Sequence, residues 1–520
     1  MTLTLVLGGT RSGKSAHAEA LAAATGLPVR YVATADGSDA SMRARIDAHV
    51  ARRPGSWSTV EADGSLAEAV SGAQDCVLVD GLGPWIATRI HRGGGFGDPS
   101  RLPAIAQEIA DDLDRTTATL TTAAHAIVVA EQAGEGVLPP DAASRAWLDL
   151  LGDATQRLAA HADRVDLIVA GRVVPVAGSA PGPADAALRR HGDRDVRPGD
   201  ADHAVNVVAG GPPRWLQAAL NGALAEVGRY PDERPAIAAI AALHGRASGE
   251  IVPTNGAAEA LWLLGPALRP TLAACVHPGF TEAEAGLRAH SVPTVRVQRD
   301  PDRGFALEPD RVPDAADLVV VGNPASPSGT LDPATAVLAL RRPGRVVVVD
   351  EAFMDLVPGE PGTLARRALP DVIVVRSLTK VLGIPGLRAG YAIAHAEIAE
   401  RLRAVRPPWS ANTLALTALA AAAAAPSELS AIARRAADQR QDLHARLAAI
   451  DGVRIWPGAA NYVLIAVDDG EALVAALRAQ GIAVRPAASF PGLDARHVRV
   501  TARDPGANAR LADAVAGALA

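Results

Sequence analysis

Short apolar runs alternate with longer stretches of helical spacing along most of the chain. The runs lie at Leu3–Leu7, Val29–Thr34, Cys76–Asp80, Ala126–Ala130 and Val165–Ala170, and then at Ala273–His277, Leu318–Gly322, Val346–Asp350 and Val372–Arg376. Strands that are separated by helices predict βαβ units and parallel sheets. The pattern therefore predicts an α/β protein that consists of two such units in series.

The alternation is interrupted by one segment that mixes proline, glycine and charges of both signs. This composition has little apolar periodicity and is typical of a linker. We predict an N-terminal domain over residues 1–172, a linker over residues 173–190 and a C-terminal domain over residues 191–520. The last part of the C-terminal domain, from about residue 427, is predicted to be a small subdomain.

Composition and charge exclude several classes of protein. The chain has 520 residues, of which 49% are hydrophobic and 21% charged, which is the composition of a packed protein. Its 51 basic and 57 acidic residues nearly balance, which argues against a nucleic-acid or membrane surface. Two cysteines, Cys76 and Cys275, exclude a disulfide framework and a structural zinc site. With no signal-like start, the sequence predicts a cytoplasmic protein that acts on small molecules.

Lysine is almost absent from the chain. Among the 51 basic residues only Lys14 and Lys380 are lysines, and the other 49 are arginines. Arginine is a bulky fork that stays protonated, whereas lysine is a slim amine that can grip a phosphate or lose its proton. Each lysine therefore indicates a position at which arginine cannot do the chemistry.

The segment around Lys14 has the pattern GxxxxGK[ST], and it follows an apolar strand and precedes a helical stretch. Backbone N–H groups of such a loop surround phosphates, and the motif comprises Gly8, Gly9, Thr10, Arg11, Ser12, Gly13, Lys14 and Ser15. Lys14 is expected at the β- and γ-phosphates, and Ser15 at a Mg²⁺ ion. Asp80, at the end of CVLVD, is the second predicted metal ligand. GTP or ATP with Mg²⁺ is the predicted ligand.

The N-terminal domain resembles the adenosylcobinamide kinase/adenosylcobinamide-phosphate guanylyltransferase family. The resemblance lies in GGTRSGKSAHAEALA, YVATA, MRARIDAHVARRPGSW, VLVDGLGPW and GEGVLPP. It implies a P-loop NTPase-like sheet domain that phosphorylates adenosylcobinamide and then transfers GMP through a covalent histidine, and the RI-x-x-H-x-x-x-R pattern gives that role to His49. The family's polar pattern is changed at five positions, Ala87, Thr88, Glu131, Gln132 and Leu148. A nucleotide-binding module without catalytic activity is therefore the alternative.

The segment Ser377-Leu378-Thr379-Lys380, followed by Gly386-Leu387-Arg388-Ala389-Gly390-Tyr391, resembles the lysine segment of fold-type-I pyridoxal-phosphate enzymes. The resemblance implies an aminotransferase-like domain in which Lys380 forms an imine with pyridoxal 5'-phosphate, while Ser377 and Arg388 bind the cofactor phosphate. Further implied cofactor contacts are Gly256 and Ala257 at the phosphate, Phe280 on the ring, Asn323 at the phenolic oxygen and Asp350 at the pyridine nitrogen.

Three more residues are assigned by the same resemblance. Arg499 corresponds to the arginine that binds the substrate carboxylate, and Asn206 lies in the substrate-side loop. Tyr230 corresponds to a residue that reaches the neighbouring subunit's phosphate in dimeric members. A homo-oligomer, dimeric through the C-terminal domain, is thus implied.

Two branches of the pyridoxal family are similar to the C-terminal domain, namely threonine-phosphate decarboxylase and histidinol-phosphate aminotransferase. Phe353 in DEAF, HGD at 191–193 and PPWSANTLA at 407–415 favour the decarboxylase branch. The combined prediction is a bifunctional enzyme of cobalamin biosynthesis, which makes aminopropanol phosphate from L-threonine O-phosphate and activates adenosylcobinamide with GTP. The alternatives are an aminotransferase of the histidinol-phosphate type, or a pyridoxal enzyme with an inactive nucleotide-binding module.

Overall fold

The computed structural model describes residues 2–34, 54–62, 64–72, 75–134, 136, 138–177, 188–190, 192 and 196–520. The chain divides into two compact units, Met1–Gly182 and Pro183–Ala520. Each unit has its own hydrophobic clusters, so each is described by itself.

A seven-stranded sheet forms the centre of the first unit. Its strands are β1 Thr2–Gly8, β2 Val29–Ala33, β3 Ser58–Glu61, β4 Cys76–Asp80, β5 His125–Glu131, β6 Arg164–Val169 and β7 Arg172–Ala177. The helices are α1 Lys14–Ala24, α2 Leu66–Val70, α3 Leu82–Arg92, α4 Leu102–Leu120 and α5 Ala142–His161. The order is β3-β2-β4-β5-β1-β6-β7, and only β6 and β7 pair antiparallel. The parallel sheet and its alternation with helices agree with the sequence prediction.

Strand β7 corrects the predicted start of the linker at residue 173. Ala170 and Gly171 both have positive φ, 49° and 75°, so the chain reverses there and Arg172–Ala177 pairs with β6. The strand contains a proline, which an edge strand tolerates because one of its sides has no hydrogen-bonded neighbour. This proline and the proline-rich, glycine-rich composition of the residues that follow are the reason why the sequence predicts this strand as part of the linker.

The second unit contains a larger number of elements. Its strands are β8 Ala201–Asp202, β9 Ile251–Asn255, β10 Ala273–His277, β11 Thr294–Gln298, β12 Leu318–Gly322, β13 Val346–Asp350, β14 Val372–Ser377, β15 Ala389–Ile393, β16 Arg454–Trp456, β17 Tyr462–Ala466, β18 Ile482–Ala483, β19 Arg485–Pro486 and β20 His497–Thr501. Its helices are α6 Arg214–Ala223, α7 Arg234–His244, α8 Gly256–Trp262, α9 Leu264–Leu268, α10 Glu282–Ala289, α11 Ala334–Leu338, α12 Ala396–Val405, α13 Thr413–Ala423, α14 Pro426–Ala448, α15 Gly470–Ala479 and α16 Pro505–Leu519.

The large sheet of this unit has the order β11-β10-β12-β13-β14-β15-β9. The first five strands are parallel, and β15 pairs antiparallel with both β14 and β9. Strands such as β13, which reads VVVVD, are apolar throughout because helices cover both faces of a parallel sheet. Since parallel strands end at the same edge, β12, β13 and β14 bring Gly322, Asp350 and Ser377 to one side.

A second, antiparallel sheet has the order β16-β17-β20-β19, and β18 pairs with β8. It packs with α14, α15 and α16 around a separate apolar cluster that includes Leu443, Val463, Leu473 and Leu511. No single described helix is long and apolar enough to cross a membrane, although α13 and α14, bent by 88°, pass that test as a pair on length and composition.

Candidate active sites

The loop between β1 and α1 has the geometry that the motif predicts. β1 ends at Gly8 and α1 begins at Lys14, directly after Gly13, whose φ of 96° is left-handed. A Cβ atom on Gly8 would lie 2.4 Å from Ser12 Oγ, so the loop can close only over a glycine. Ser12 Oγ is buried and has no hydrogen-bond partner among the described residues, and such an orphaned polar group fits a loop that receives a ligand.

The two predicted metal ligands touch each other. Ser15 Oγ donates a hydrogen bond to Asp80 Oδ1 at 2.9 Å, and the Tyr31 hydroxyl donates to Asp80 Oδ2. Among the described residues there is no group of three or more His, Cys, Asp or Glu side chains that could hold a metal ion. This arrangement suits Mg²⁺ bound with a nucleotide, because that ion uses one or two protein ligands together with phosphates and water.

A contact that the sequence did not predict lies beside the P-loop lysine. Lys14 Nζ is 3.9 Å from Glu131 Oε1, and Glu131 Oε2 accepts a hydrogen bond from the Gly83 N–H at 2.8 Å. Sequence analysis noted Glu131 only as a change from the family pattern. Of the other changed positions, Ala87 and Thr88 are half-buried on α3. His49 lies outside the described residues, so its role stays a prediction.

In the second unit a cavity of about 520 Å³ surrounds Lys380. Seven of the predicted site residues line it, namely Asn206, Ala257, Phe280, Asp350, Lys380, Arg388 and Arg499. Residues that sequence analysis did not assign also line it, among them Arg190, Ser326, Phe353, Thr379, Arg485, Ser489 and Phe490. The structure therefore collects residues from distant parts of the sequence around one amine.

The environment of Lys380 favours a neutral amine. Burial lowers its pKa to about 8, against the opposing effect of the Asp350 carboxylate. Its Nζ lies 5.7 Å from the centre of the Phe353 ring. Burial in turn raises the pKa of Asp350, whose Oδ1 accepts a hydrogen bond from the Ala352 N–H at 3.1 Å. An amine with this pKa is a nucleophile at moderately alkaline pH.

A cradle of backbone lies at the start of α8. Gly256 has a φ of 78°, and a Cβ atom there would lie 2.7 Å from Arg388 Nη2. Arg388 itself has a φ of 60°, and its Nη1 donates to the Pro385 carbonyl at 3.1 Å. The guanidinium therefore lies directly against backbone that carries no side chain. A cation and free backbone at a helix start suit a phosphate.

Two predicted cofactor contacts are buried behind the wall of the cavity. The amide of Asn323 is fully buried and exchanges two hydrogen bonds with the backbone of Asp332, at 3.0 and 2.8 Å. The Ser377 hydroxyl is 2.7 Å from that of Thr379. The Asn323 N–H donates to the Asp350 carbonyl at 2.9 Å, and Ser326 lines the cavity. The assignment of Asn323 to the cofactor stays a prediction.

Two buried arginines lie side by side on the antiparallel strands β19 and β20. Arg485 and Arg499 are register partners, and only 2% and 8% of their surfaces are exposed. Arg499 donates to the Ala204 carbonyl at 2.8 Å and to Ser326 Oγ at 3.3 Å. Its Nε is buried and has no partner in the part of the chain that the structure describes. Burial lowers the pKa of Arg499 to about 10. Sequence analysis assigned Arg499 but missed Arg485, because strand pairing alone makes them neighbours.

Asn206 and Tyr230 have very different positions. Asn206 lines the cavity, and its Oδ1 accepts from the Thr501 hydroxyl at 2.7 Å. Its Nδ2 is buried, with no partner among the residues that the structure describes. An unpaired buried donor that faces a cavity fits a bound ligand. Tyr230 is 78% exposed, stacks on Trp409 at 4.4 Å and lines a different cavity. It is therefore not part of the Lys380 cavity of its own chain.

Comparison with known families agrees with this geometry. The family described as aminotransferase class I and II matches residues 202–515. The chain belongs to this family. The family described as cobinamide kinase / cobinamide phosphate guanyltransferase matches residues 4–176, so the protein is a fusion of two enzyme domains.

Individual known proteins are similar to each of the two domains. A histidinol-phosphate aminotransferase of Mycobacterium tuberculosis is 46% identical over 323 residues, which cover 61% of this chain and 88% of that protein. The bifunctional adenosylcobalamin biosynthesis protein CobP of Pseudomonas aeruginosa is 37% identical over 177 residues, 34% of this chain and 96% of that protein. The structure of L-threonine-O-3-phosphate decarboxylase from Porphyromonas gingivalis has a TM-score of 0.56 at 25% identity, covering 61% of this chain and 98% of that one.

Proposed function

We propose that this protein is a bifunctional enzyme of cobalamin biosynthesis. Its second unit decarboxylates L-threonine O-phosphate to aminopropanol phosphate, and its first unit phosphorylates and guanylylates adenosylcobinamide with GTP. The observation that carries the proposal is the buried pair of Arg485 and Arg499 on the Lys380 cavity, in a chain whose other unit belongs to the cobinamide kinase family. We propose that the first domain extends through β7. We propose residues 191–520 as the second domain, with a small subdomain from about residue 427.

Pyridoxal phosphate fits the Lys380 cavity. Lys380 is the amine that would hold it, Asp350 would face its ring nitrogen, and Phe280 would lie against its ring. The cradle of Gly256 and Arg388 would take the phosphate, since a side chain at 256 would collide with that guanidinium. When bound, the cofactor supplies an electron sink for a bond that breaks at the substrate's α-carbon.

The two arginines suit a substrate with two anionic groups. L-Threonine O-phosphate has a carboxylate and a phosphate, and guanidinium groups bind both with paired hydrogen bonds. Arg499 would orient the carboxylate, because its buried Nε has no hydrogen-bond partner among the described residues. Ser326, which accepts a hydrogen bond from Arg499, would hold the guanidinium in place. Arg485 and Ser489 would bind the phosphate, and Arg485 Nη2 donates a hydrogen bond to Ser489 Oγ at 2.9 Å.

In the first unit, the P-loop would hold GTP through Lys14, and Ser15 and Asp80 would hold its Mg²⁺. A neutral imidazole can attack the α-phosphorus of a bound triphosphate and later release GMP, and we propose His49 for this role. We also propose a homodimer through the second unit. The strong exposure of Tyr230, away from the cavity of its own chain, supports a role at the neighbouring subunit.

A second candidate for the second unit is transamination of histidinol phosphate. It is favoured by the 46% identity to a protein that bears this name. Histidinol phosphate has a phosphate and no carboxylate, so it offers one anionic group to two arginines. The two substrates are therefore expected to differ in how strongly they depend on Arg499.

Two assays on the full-length protein test the proposal. The pyridoxal-loaded enzyme is incubated with L-threonine O-phosphate, and carbon dioxide and keto acid are measured. Carbon dioxide without keto acid is expected. Turnover of histidinol phosphate in a parallel incubation that contains 2-oxoglutarate as the amino acceptor, together with keto acid from L-threonine O-phosphate, would favour the second candidate. The enzyme is also incubated with Mg²⁺ and α-labelled GTP. Acid-labile label that His49→Ala removes is expected, and GTP binding without label would indicate a nucleotide-binding module.

A further inference from the structure

The end of β5 presents a carboxylate to the nucleotide loop. β5 lies between β4, which ends at Asp80, and β1, which leads into the P-loop. Glu131, the last residue of β5, is the register partner of Gly8, the first residue of the motif. The topology therefore places Glu131 between the proposed metal ligand and the proposed phosphate loop.

Glu131 is also held in a fixed orientation. Its Oε2 accepts the Gly83 N–H at 2.8 Å, and a Cβ atom on Gly83 would lie 2.4 Å from that oxygen. The Gly83 carbonyl accepts a hydrogen bond from Trp147 Nε1 at 2.8 Å, which fixes the peptide that follows Gly83. With Oε2 occupied, Oε1 points towards Lys14 Nζ at 3.9 Å, a separation longer than a hydrogen bond. This oxygen is thus directed at the phosphate side of the loop.

We propose that Glu131 is the general base of the phosphoryl-transfer step, an inference that rests on the proposed kinase function. P-loop lysines contact the β- and γ-phosphates, so a carboxylate beside Lys14 is near an alcohol that approaches the γ-phosphorus. The alcohol oxygen forms a bond to the γ-phosphorus, and its proton passes to Glu131 Oε1. The bond from the γ-phosphorus to the bridging oxygen breaks, and the nucleoside diphosphate leaves with that electron pair.

The test uses full-length Glu131→Gln, which keeps the shape of the side chain but cannot accept the proton. With Mg²⁺, GTP and adenosylcobinamide we expect kcat to fall about a hundredfold or more, as is typical when a general base is removed. The Kd for GTP is expected to stay the same or to tighten, because a negative charge is removed from the side of Lys14. Retained GTP binding also shows that the unit is folded.

Glu108→Gln is the matched control, since Glu108 forms a surface ion pair with Arg89 and its side chain is 67% exposed. It is expected to leave kcat unchanged. Glu131→Asp, which keeps a carboxylate, is expected to retain more activity than Glu131→Gln. A kcat of Glu131→Gln within threefold of the wild type, or a loss explained by weaker GTP binding, would overturn the inference.

Failure of the proposed function gives a different result. If the wild-type enzyme transfers no phosphate to adenosylcobinamide, the kinase proposal fails, and the same variants are compared in GTP hydrolysis, where water is the acceptor. Slower hydrolysis by Glu131→Gln would then still support the general base. Equal hydrolysis rates, or no hydrolysis by the wild type, would overturn it.

Discussion

The two lysines of this chain lie in sites with opposite demands. Lys14 begins a helix in a glycine-rich loop, and a carboxylate of Glu131 lies 3.9 Å from its amine. Lys380 lies in a cavity with the ring of Phe353, and burial lowers its pKa to about 8. The first position suits an amine that contacts phosphates, and the second suits an amine that gives up its proton. Both residues are lysines, so the residue type does not distinguish these roles. The surroundings of each lysine distinguish them.

The largest effect that tests this comparison is expected from Lys380→Arg. Arginine stays protonated at any usable pH, so we expect carbon dioxide release from L-threonine O-phosphate to fall about a thousandfold or more. The visible absorbance of the pyridoxal phosphate bound to the protein should change as well. GTP-dependent labelling of the same sample serves as the control and should be unaltered. Activity within tenfold of the wild type would contradict the assignment.

Lys14→Arg is the reciprocal change. It keeps the positive charge but puts a planar fork into a loop that closes tightly, so we expect GTP-dependent labelling to fall about a hundredfold. Decarboxylation should be unaffected. Unchanged labelling would show that charge alone is required at this position, and the contrast between the two lysines would lose its basis.

The pH dependence of cofactor capture tests the surroundings of Lys380. Because its pKa is lowered to about 8, the neutral amine should increase about tenfold per pH unit up to that value and then level off. We expect the rate at which the cofactor-free protein captures pyridoxal phosphate to follow this curve. A midpoint near the ordinary lysine value of about 10.4 would show that the cavity does not change this amine.

Arg499→Lys tests the substrate side of the same cavity with a smaller expected effect. It retains the charge and loses the paired hydrogen bonds, so KM for L-threonine O-phosphate should rise about tenfold to a hundredfold. Arg454→Lys, at an exposed position of strand β16 in the same sheet, is the control. An unchanged KM would remove Arg499 from the proposed carboxylate site.

The smallest effects are expected from the pair Asn323→Ala and Ser326→Ala. Asn323 exchanges two buried hydrogen bonds with Asp332, so its loss should lower the free energy of unfolding by about 1–3 kcal/mol. Ser326→Ala should raise KM a few-fold through Arg499 and lower stability less. Thermal unfolding and KM of both variants distinguish these roles. Weaker binding of pyridoxal phosphate by Asn323→Ala would support its predicted contact with the cofactor, and unchanged cofactor binding would contradict it.

The sequence was sufficient to predict the local structure and the chemistry of motifs whose residues are contiguous. The P-loop, the end of β13 at Asp350 and the lysine segment each need only local order, so the sequence predicted an α/β fold with two parallel sheets. It also predicted seven residues that line the Lys380 cavity. The sequence motif alone does not fix the contacts of Asn323, because which side chain of a loop faces a cavity depends on how that loop leaves the sheet.

Only the tertiary structure could pair residues that are distant in sequence. Arg485 lies beside Arg499 because β19 pairs with β20 in one register, and Glu131 lies beside Lys14 because β5 is the neighbour of β1. Strand order and register are set by packing of the whole sheet and leave no local signature. The sequence by itself determined which chemical groups each unit contains. The tertiary structure decided which of them meet, because a carboxylate or guanidinium acts only on what lies within a few ångströms of it.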